Sequence, residues 1–414
     1  MASSSSVSPP TASRPVQRGC RPRNFPTSGF EVIDPDQLVE EETLPSYKRD
    51  EYYPMRIGDI VAGHYQVAAK LGYGTTSTVW LARDLNKERE FWVLKVHIHT
   101  STFRHERMVY EHLKKTTKQE KEDKEEHPGR DHVRRIEDSF TLKGPHGEHE
   151  VFVMTPLGMS LRTMQEMQKT GVFPEIVATR ALNQTLLGLA LLHDADVIHT
   201  DLHADNLLVA MTDDSILSTM EESEMNKPSA RKQAGDTTIH VSRYVLGGAG
   251  PLTISDLGQA RIGREQSGNA MPTQYRAPEV ILNMPWGPPV DMWSVGLLAW
   301  GLIERESLFR IYDPDSPGLN DAHHLAAMTA LLGPPPAEFL QRSKDTSKYW
   351  DEQGQWHGPV PMPPAKNLDA LVVALEGKQK EIFVDFMECF LAWLPEERFT
   401  ASQGYFHVWL CGKD

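Results

Sequence analysis

Cysteine is scarce: Cys20, Cys389 and Cys411 are the only three in 414 residues. They are too few and too scattered for a disulfide framework or a zinc cluster, and such sparing use points to a reducing compartment. Long apolar runs are missing too. The longest, MWSVGLLAWGLI at 292–303, falls short of the ~20 residues that span a bilayer and reads as a buried helix. Positive charge is in deficit, with 43 Lys and Arg against 57 Asp and Glu, a net charge of −14. That balance disfavours nonspecific binding to nucleic acid or an anionic membrane and suits a basic substrate, although solubility alone also explains it. Acid is absent from the start, MASSSSVSPPTASRPVQRGCRPRNF, where none precedes Glu31. A segment so rich in Ser, Pro and Arg cannot bury enough surface to order itself, so residues 1 to about 50 are expected as a disordered tail. The same acid-poor composition also fits an organelle transit peptide.

What is present begins near Tyr65. HYQVAAKLGYG, STVWLARD and EFWVLKVHI alternate β-branched or aromatic residues around turn signals, as three antiparallel strands would. The spacing predicts a helix over 103–115, after which the charge run KKTTKQEKEDKEEHPGRD reads as a solvated loop. HEVFVMTPLGMSL supplies another strand. Then the period changes: Leu182, Leu186, Leu189 and Ala190 recur at helical intervals, and further helices are expected at 290–303, 321–332 and 379–393. A small β-rich unit thus precedes a larger helical one. A polar stretch at about 212–250, closing on GGAGP, reads as an insertion.

Chemistry concentrates in VIHTDLHADNLLV, 197–209, where His199, Asp201, His203 and Asp205 fall on every second residue and Asn206 follows. Upstream, LGYGTTSTVWLA places Gly72 and Gly74 between two strands, where backbone N–H groups can face a phosphate. Lys95 sits inside the apolar strand WVLKV, and a charge so placed calls for an acid. Glu106 shares a helix face with Val109, Tyr110 and Leu113, whereas Glu111 points elsewhere, so Glu106 is the expected partner. A phosphoryl donor carrying Mg²⁺ needs hard oxygen ligands, which Asn206 and Asp256 of SDLG can supply. It also needs a carboxylate to orient the attacking hydroxyl, which Asp201 can supply.

PTQYRAPEVIL, VDMWSVG and LPEERFTA follow in order, so the series resembles the protein-kinase signature of Gly-rich loop, strand Lys, helix Glu, catalytic loop, metal Asp and A-P-E. The resemblance is closer to one family. Residues 54–82, PMRIGDIVAGHYQVAAKLGYGTTSTVWLA, with HTD for H-R-D, DLG for D-F-G and SKYWDEQGQW at 347–356, resemble the SR-protein kinases. TPLGMSLR and NKPSARK look like that family's compact fungal members. Over residues of about 50 to 414 the resemblance implies an α+β, bilobal protein-kinase fold: a β-rich N-lobe at 51–157 and a mainly helical C-lobe at 158–414 carrying the insertion.

The resemblance also implies a Ser kinase, by extension Thr, acting on Arg/Ser-rich, splicing-related proteins with ATP and Mg²⁺. A monomer in cytoplasm and nucleus is expected, without direct nucleic-acid or membrane binding. Leu71, Gly72, Tyr73, Gly74, Thr75, Thr76, Ser77, Thr78 and Val79 would cover the nucleotide, with Lys95 on its phosphates and Glu106 holding Lys95. Val93, Met154, Thr155 and Leu157 would line the adenine pocket. Asp201 would be the catalytic base, Asn206 and Asp256 would hold Mg²⁺, and Glu279 with Arg398 would form a buried structural ion pair.

Three residues that kinases usually carry are replaced. Thr200 stands where Arg often precedes the base, which implies activity without phosphorylation of the 256–279 segment. His203 replaces a Lys near the transferring phosphate and can substitute only when protonated. Val93 replaces a small Ala. The last two leave open a weak kinase or a binding scaffold. Two rivals use the same loop: a metal hydrolase ligated by His199, Asp201, His203 and Asp205, and a small-molecule phosphotransferase with an H-x-D-L-H loop. The first lacks a second ligand loop, and the second generally lacks the APE, Asp291 and Arg398 elements. Asp313, Asp315 and Asp321 are the acids expected to steer a basic peptide.

Overall fold

The computed structural model describes residues 20–87, 90–100, 103–122, 126–309, 316 and 319–412. The chain forms two compact units: the first comprises residues up to 99 with 138–155 and 213–244, the second the remainder.

The first unit is built on a six-stranded antiparallel sheet. In spatial order its strands are Ile60–Val61, Tyr65–Gly74, Ser77–Asp84, Phe91–His97, Glu148–Met154 and Asp138–Lys143. The expected strands are all present, because β-branched and aromatic residues alternate there at the period of a pleat. Trp80, Ala82, Leu94, Val96, Val151 and Val153 point to one face and pack with Met55, Ile57 and Val67 in a common core. The intervening residues must point to the other face. Val79 lies opposite Lys95, Lys95 opposite Phe152, and Val93 opposite Met154, so this second face carries the candidate nucleotide-facing side chains together.

One stretch of the first unit differs from expectation. Residues 1–19 of the anticipated tail lie outside the described residues, but from Cys20 on the chain is packed rather than disordered. Arg23 exchanges two 2.8 Å hydrogen bonds with the side chain of Gln66, and Glu40 and Glu41 are ion-paired with Lys70, which is 1% exposed. The polar stretch after the catalytic loop is equally structured, with a helix at Ser215–Asn226 and a hairpin of Arg231–Ala234 with Thr237–His240. Val32 pairs with Arg231 of that hairpin, and Lys232 reaches Glu42 at 2.9 Å. Glu221 is fully buried and accepts from Arg83 through both carboxylate oxygens, with Arg23 also 3.3 Å away.

The second unit is helical. Its long helices are Phe103–Glu122, Glu175–Asp194, Pro289–Ile303, Asn320–Leu332 and Gly377–Glu388. The first runs on through half of the charge run expected as a loop, since Lys, Glu and Gln are good helix formers and no Gly or Pro interrupts them before Pro128. It clusters with this unit because His112 donates to the Ala195 carbonyl at 2.7 Å and His105 contacts the Ala260 carbonyl. Helix Pro289–Ile303 is buried almost all round. No helix among the described residues is long and apolar enough to cross a membrane. Gly129 permits the turn at Pro128–His132 to lie against helix Glu175–Asp194, since a Cβ there would sit 2.0 Å from the Leu187 carbonyl oxygen.

Candidate active site

The loop after Val197–Ile198 begins with a residue that never reaches solvent. His199 is wholly buried: its Nδ1 accepts the Asp201 N–H at 3.2 Å, so its Nε2–H donates to the Ser255 carbonyl at 3.2 Å. Asp291 fixes the loop from helix Pro289–Ile303. One carboxylate oxygen accepts the His199 N–H and the other the Thr200 N–H, both at 2.8 Å, and His193 Nε2 donates at 2.9 Å. Burial pushes the Asp291 carboxyl up, but the His193 bond, the nearby histidines and the backbone N–H outweigh it, and its pKa lies below the usual value.

This bracing holds Thr200 at a φ of +67° and, beyond it, Asp256 at +61°. Such conformations are costly for non-glycine residues and persist only where the surroundings over-determine them. Thr200 also donates its hydroxyl to the Gln259 carbonyl at 2.8 Å.

Asp201, His203 and Asn206 converge. Asn206 Nδ2 donates to the Asp201 carbonyl at 2.9 Å and to its carboxylate at 3.1 Å. His203 lies between two acids, with Nε2 3.5 Å from Asp201 Oδ1 and Nδ1 3.3 Å from Asp205 Oδ2. Burial would push the His203 pKa down, yet the bonds to Asp201 and Asp205 carry it to about 9. The two carboxylates favour the protonated ring, while the Asp205 N–H also stands 3.3 Å from Nδ1 and the Asn206 amide nitrogen 3.1 Å from Nε2. Asp205 is held below the usual carboxylate range by the same contact.

Strands Leu207–Ala210 and Leu252–Ile254 pair antiparallel, and the Ser255 N–H donates to the Asn206 carbonyl at 2.8 Å. That pairing brings Asn206 and exposed Asp256 to the same end of a small sheet. Gly258 follows, its N–H donating to Asp256 Oδ1 at 3.2 Å. A Cβ on Gly258 would lie 3.1 Å from that oxygen and 3.7 Å from the Glu106 carboxylate, so Glu106 and Asp256 face the same glycine. The arrangement can accept a proton at Asp201, place a positive charge beside it and offer oxygen donors to a cation.

Residues 65–410 match the protein kinase domain family. The chain belongs to that family. A serine/threonine protein kinase of Aspergillus fumigatus is 39% identical over 94% of this chain and 95% of its own length. The kinase named SRPK of Physarum polycephalum is 28% identical over 90% of this chain and 91% of its own, and AFC1 of Arabidopsis thaliana 24% over 87% and 73%. A crystallised kinase domain, 21% identical, shares the fold with a TM-score of 0.65 over 88% of this chain and 100% of that one. By family the protein is a serine/threonine protein kinase.

In the first unit of the kinase, Lys95 is buried in strand Phe91–His97, and Val93 and Met154 are buried beside it on the same face. Leu157 is buried and Thr155 exposed. Gly72 and Gly74 lie opposite Val79 and Ser77 in the hairpin, and a Cβ on either glycine would meet open space. Leu71 and Tyr73 are half-buried, Thr75 and Thr76 exposed at the tip, and Thr78 buried. Glu279 and Arg398 form the expected buried pair, with N–O distances of 2.7 and 2.8 Å.

The structure overturns the hydrolase ligand set, because buried His199 is committed to two backbone groups and shares no strand face with His203. Of the proposed docking acids, Asp313 and Asp315 lie outside the described residues, and Asp321 is engaged by Arg276 at 3.1 Å. Sequence reasoning missed the roles of Asp291 and Thr200 as braces: Asp291 stands about ninety residues from the loop it holds, and no local spacing signals that contact.

Proposed function

We propose that this kinase transfers the γ-phosphoryl group of ATP to Ser, and by extension Thr, in Arg/Ser-rich segments of splicing-related proteins. The observation that carries the transfer is the Asp201 carboxylate, fixed by Asn206 on a loop whose successive His199 and Thr200 N–H groups Asp291 holds. Asp201 accepts the proton of the attacking hydroxyl as its oxygen bonds to the γ-phosphorus and ADP leaves. His203, cationic between its two acids, places positive charge near the transferring group, where a family member usually carries Lys.

The residues present fit Mg²⁺. Asn206 commits its amide nitrogen to Asp201, which leaves the amide oxygen for a cation, and Asp256 adds a carboxylate. Both are hard oxygen donors of the kind Mg²⁺ takes. When bound, the ion neutralises charge on the phosphates. Lys95 is assigned to those phosphates and Glu106 to holding Lys95. Leu71 to Val79 are assigned to covering the nucleotide, and Val93, Met154, Thr155 and Leu157 to adenine.

Support for the substrate class is the net charge of −14, which suits a basic peptide, and the relative named SRPK. We place the protein as a monomer in cytoplasm and nucleus; a full-length fluorescent fusion coinciding with a mitochondrial marker would refute that placement. The function itself is tested with radiolabelled ATP, an Arg/Ser-repeat peptide and a general basic protein. Wild type is expected to label the repeat peptide preferentially and Asp201→Ala to label neither. Label that survives in the variant would remove Asp201 from its role, and equal labelling of both substrates would remove the Arg/Ser preference.

A further inference from the structure

Among the described residues, one group of three unlike donors comes together: one atom each of Asp385, Cys389 and His407, all within 4.8 Å of one another. Asp385 and Cys389 are one helical turn apart at the end of helix Gly377–Glu388, where Cys389 keeps right-handed helical backbone angles. His407 opens the short helix Val408–Cys411. The Trp409 N–H donates to His407 Nδ1 at 3.2 Å, and His407 Nε2 donates to Asp385 Oδ2 at 3.0 Å. Phe386 packs its ring edge-on at 5.1 Å. The histidine is 6% exposed in its side chain and Asp385 68%, so the cluster has a rigid inner donor and an open outer one. A helix cap braced by an acid accounts for His407 and Asp385 but gives the Cys389 sulfur nothing to do.

We propose that Asp385, Cys389 and His407 form a binding site for a thiophilic divalent cation such as Zn²⁺, with water in the fourth position. Zn²⁺ takes thiolate, imidazole and carboxylate together in a tetrahedron whose donors stand about 3.5 Å apart. The present spacing, within 4.8 Å, exceeds that distance by little more than an ångström. Burial first, then Asp385 and Glu388, push the Cys389 thiol up to about 11; the same carboxylates favour a cation, which deprotonates a coordinating thiol.

The proton balance is definite. The Cys389 S–H proton leaves to solvent as the sulfur–metal bond forms. His407 gives up its Nε2 proton to the metal bond and takes one at Nδ1, so the ring stays neutral and the Trp409 N–H loses its acceptor. That lost cap is small beside the binding energy by which structural zinc sites hold their folds, even with one ligand replaced by water. Bound metal would tie the end of helix Gly377–Glu388 to the start of Val408–Cys411 and stabilise the fold by mass action.

The full chain, stripped with chelator, is titrated with Co²⁺ and then Zn²⁺. Expected in wild type are a thiolate-to-cobalt charge-transfer band, its loss on adding Zn²⁺, and a higher thermal midpoint with Zn²⁺. Calorimetry in two buffers of different ionisation enthalpy is expected to count about one proton released. Cys389→Ser should abolish the band and the thermal shift, and Asp385→Asn should weaken binding about tenfold or more. No band in wild type, or Zn²⁺ affinity that Cys389→Ser leaves unchanged, overturns the site. His407 is left intact because it caps a helix.

Discussion

The catalytic loop and the module made of residues 20–50 with 213–244 are both polar, yet they are built differently. In the loop, Asp201, His203, Asp205 and Asn206 meet within six residues of chain. In the module, buried Glu224 takes Arg231 seven residues on, but the pairs that tie its parts together are remote: Lys70 with Glu41 across 29 residues, Arg83 with Glu221 across 138, Lys232 with Glu42 across 190. Local spacing discloses the first kind of assembly. The second kind looks in sequence like a tail and an insertion, because a buried ion pair leaves no periodicity. The two also differ in what loss of one member does: the loop should lose chemistry and keep its fold, and the module should lose stability first.

The largest expected effect is on the loop side. Asp201→Asn removes the proton acceptor while keeping size and the Asn206 contact, so kcat should fall about 10²–10⁴-fold, with the thermal midpoint within a degree or two of wild type. A midpoint drop that matches the activity loss would make Asp201 a structural residue and erase the contrast. Next comes the module. Glu221→Gln leaves the Arg83 guanidinium, 5% exposed, without its charge partner, which costs about 3–5 kcal/mol in chemical denaturation. Replacing the pair together, Arg83→Met with Glu221→Leu, should recover most of that loss. Recovery of nothing would show that the charges matter for more than each other.

His203 tests whether the loop's electrostatics also feed stability. Its pKa is raised from the ordinary 6.5 to about 9 by Asp201 and Asp205, so the folded state binds the proton more tightly than the unfolded chain. That stabilisation is fully present below pH 6.5 and disappears as pH rises through about 9. For a side chain 22% exposed it amounts to about 3 kcal/mol at most. In chelator, without nucleotide, wild-type stability should decline between pH 6.5 and 9 more steeply than that of His203→Gln. Parallel declines would mean that the imidazole is not held between charges.

Much of the fold was legible. The strands around Lys95 announced themselves by alternation, and the helices at 175–194, 289–303, 320–332 and 377–388 by period. Legibility failed in three physically distinct ways. Helix Phe103–Glu122 outran its apolar face because Lys and Glu sustain helix without burial. Residues 20–50 look disordered by composition, although their order comes from partners far along the chain. Within the site, the candidate residues Asp201, Asn206 and Asp256 can be named from spacing, whereas the contacts of Asp291 and the Thr200 hydroxyl cannot, since each acts on backbone groups that every sequence possesses.

Thr200 gives the smallest effect and the finest test. Its hydroxyl bond to the Gln259 carbonyl ties the residue before the base to the start of the 256–279 segment, at the position where many kinases place an Arg. Thr200→Val keeps the β-branch, and so adds no new strain at φ +67°, but removes one of the two donors on that carbonyl, which keeps the Arg261 guanidinium, at a cost of about 1 kcal/mol. After phosphatase treatment, wild type should be fully active, Thr200→Val several-fold slower in kcat with KM for ATP unchanged, and Thr200→Ser restored. If treated wild type stays silent until Ser267 or Thr273 is phosphorylated, the hydroxyl does not replace a phosphate-dependent tie. If Val and Thr behave alike, the bond is incidental to catalysis, and the loop's order then rests on Asp291 and His199 alone.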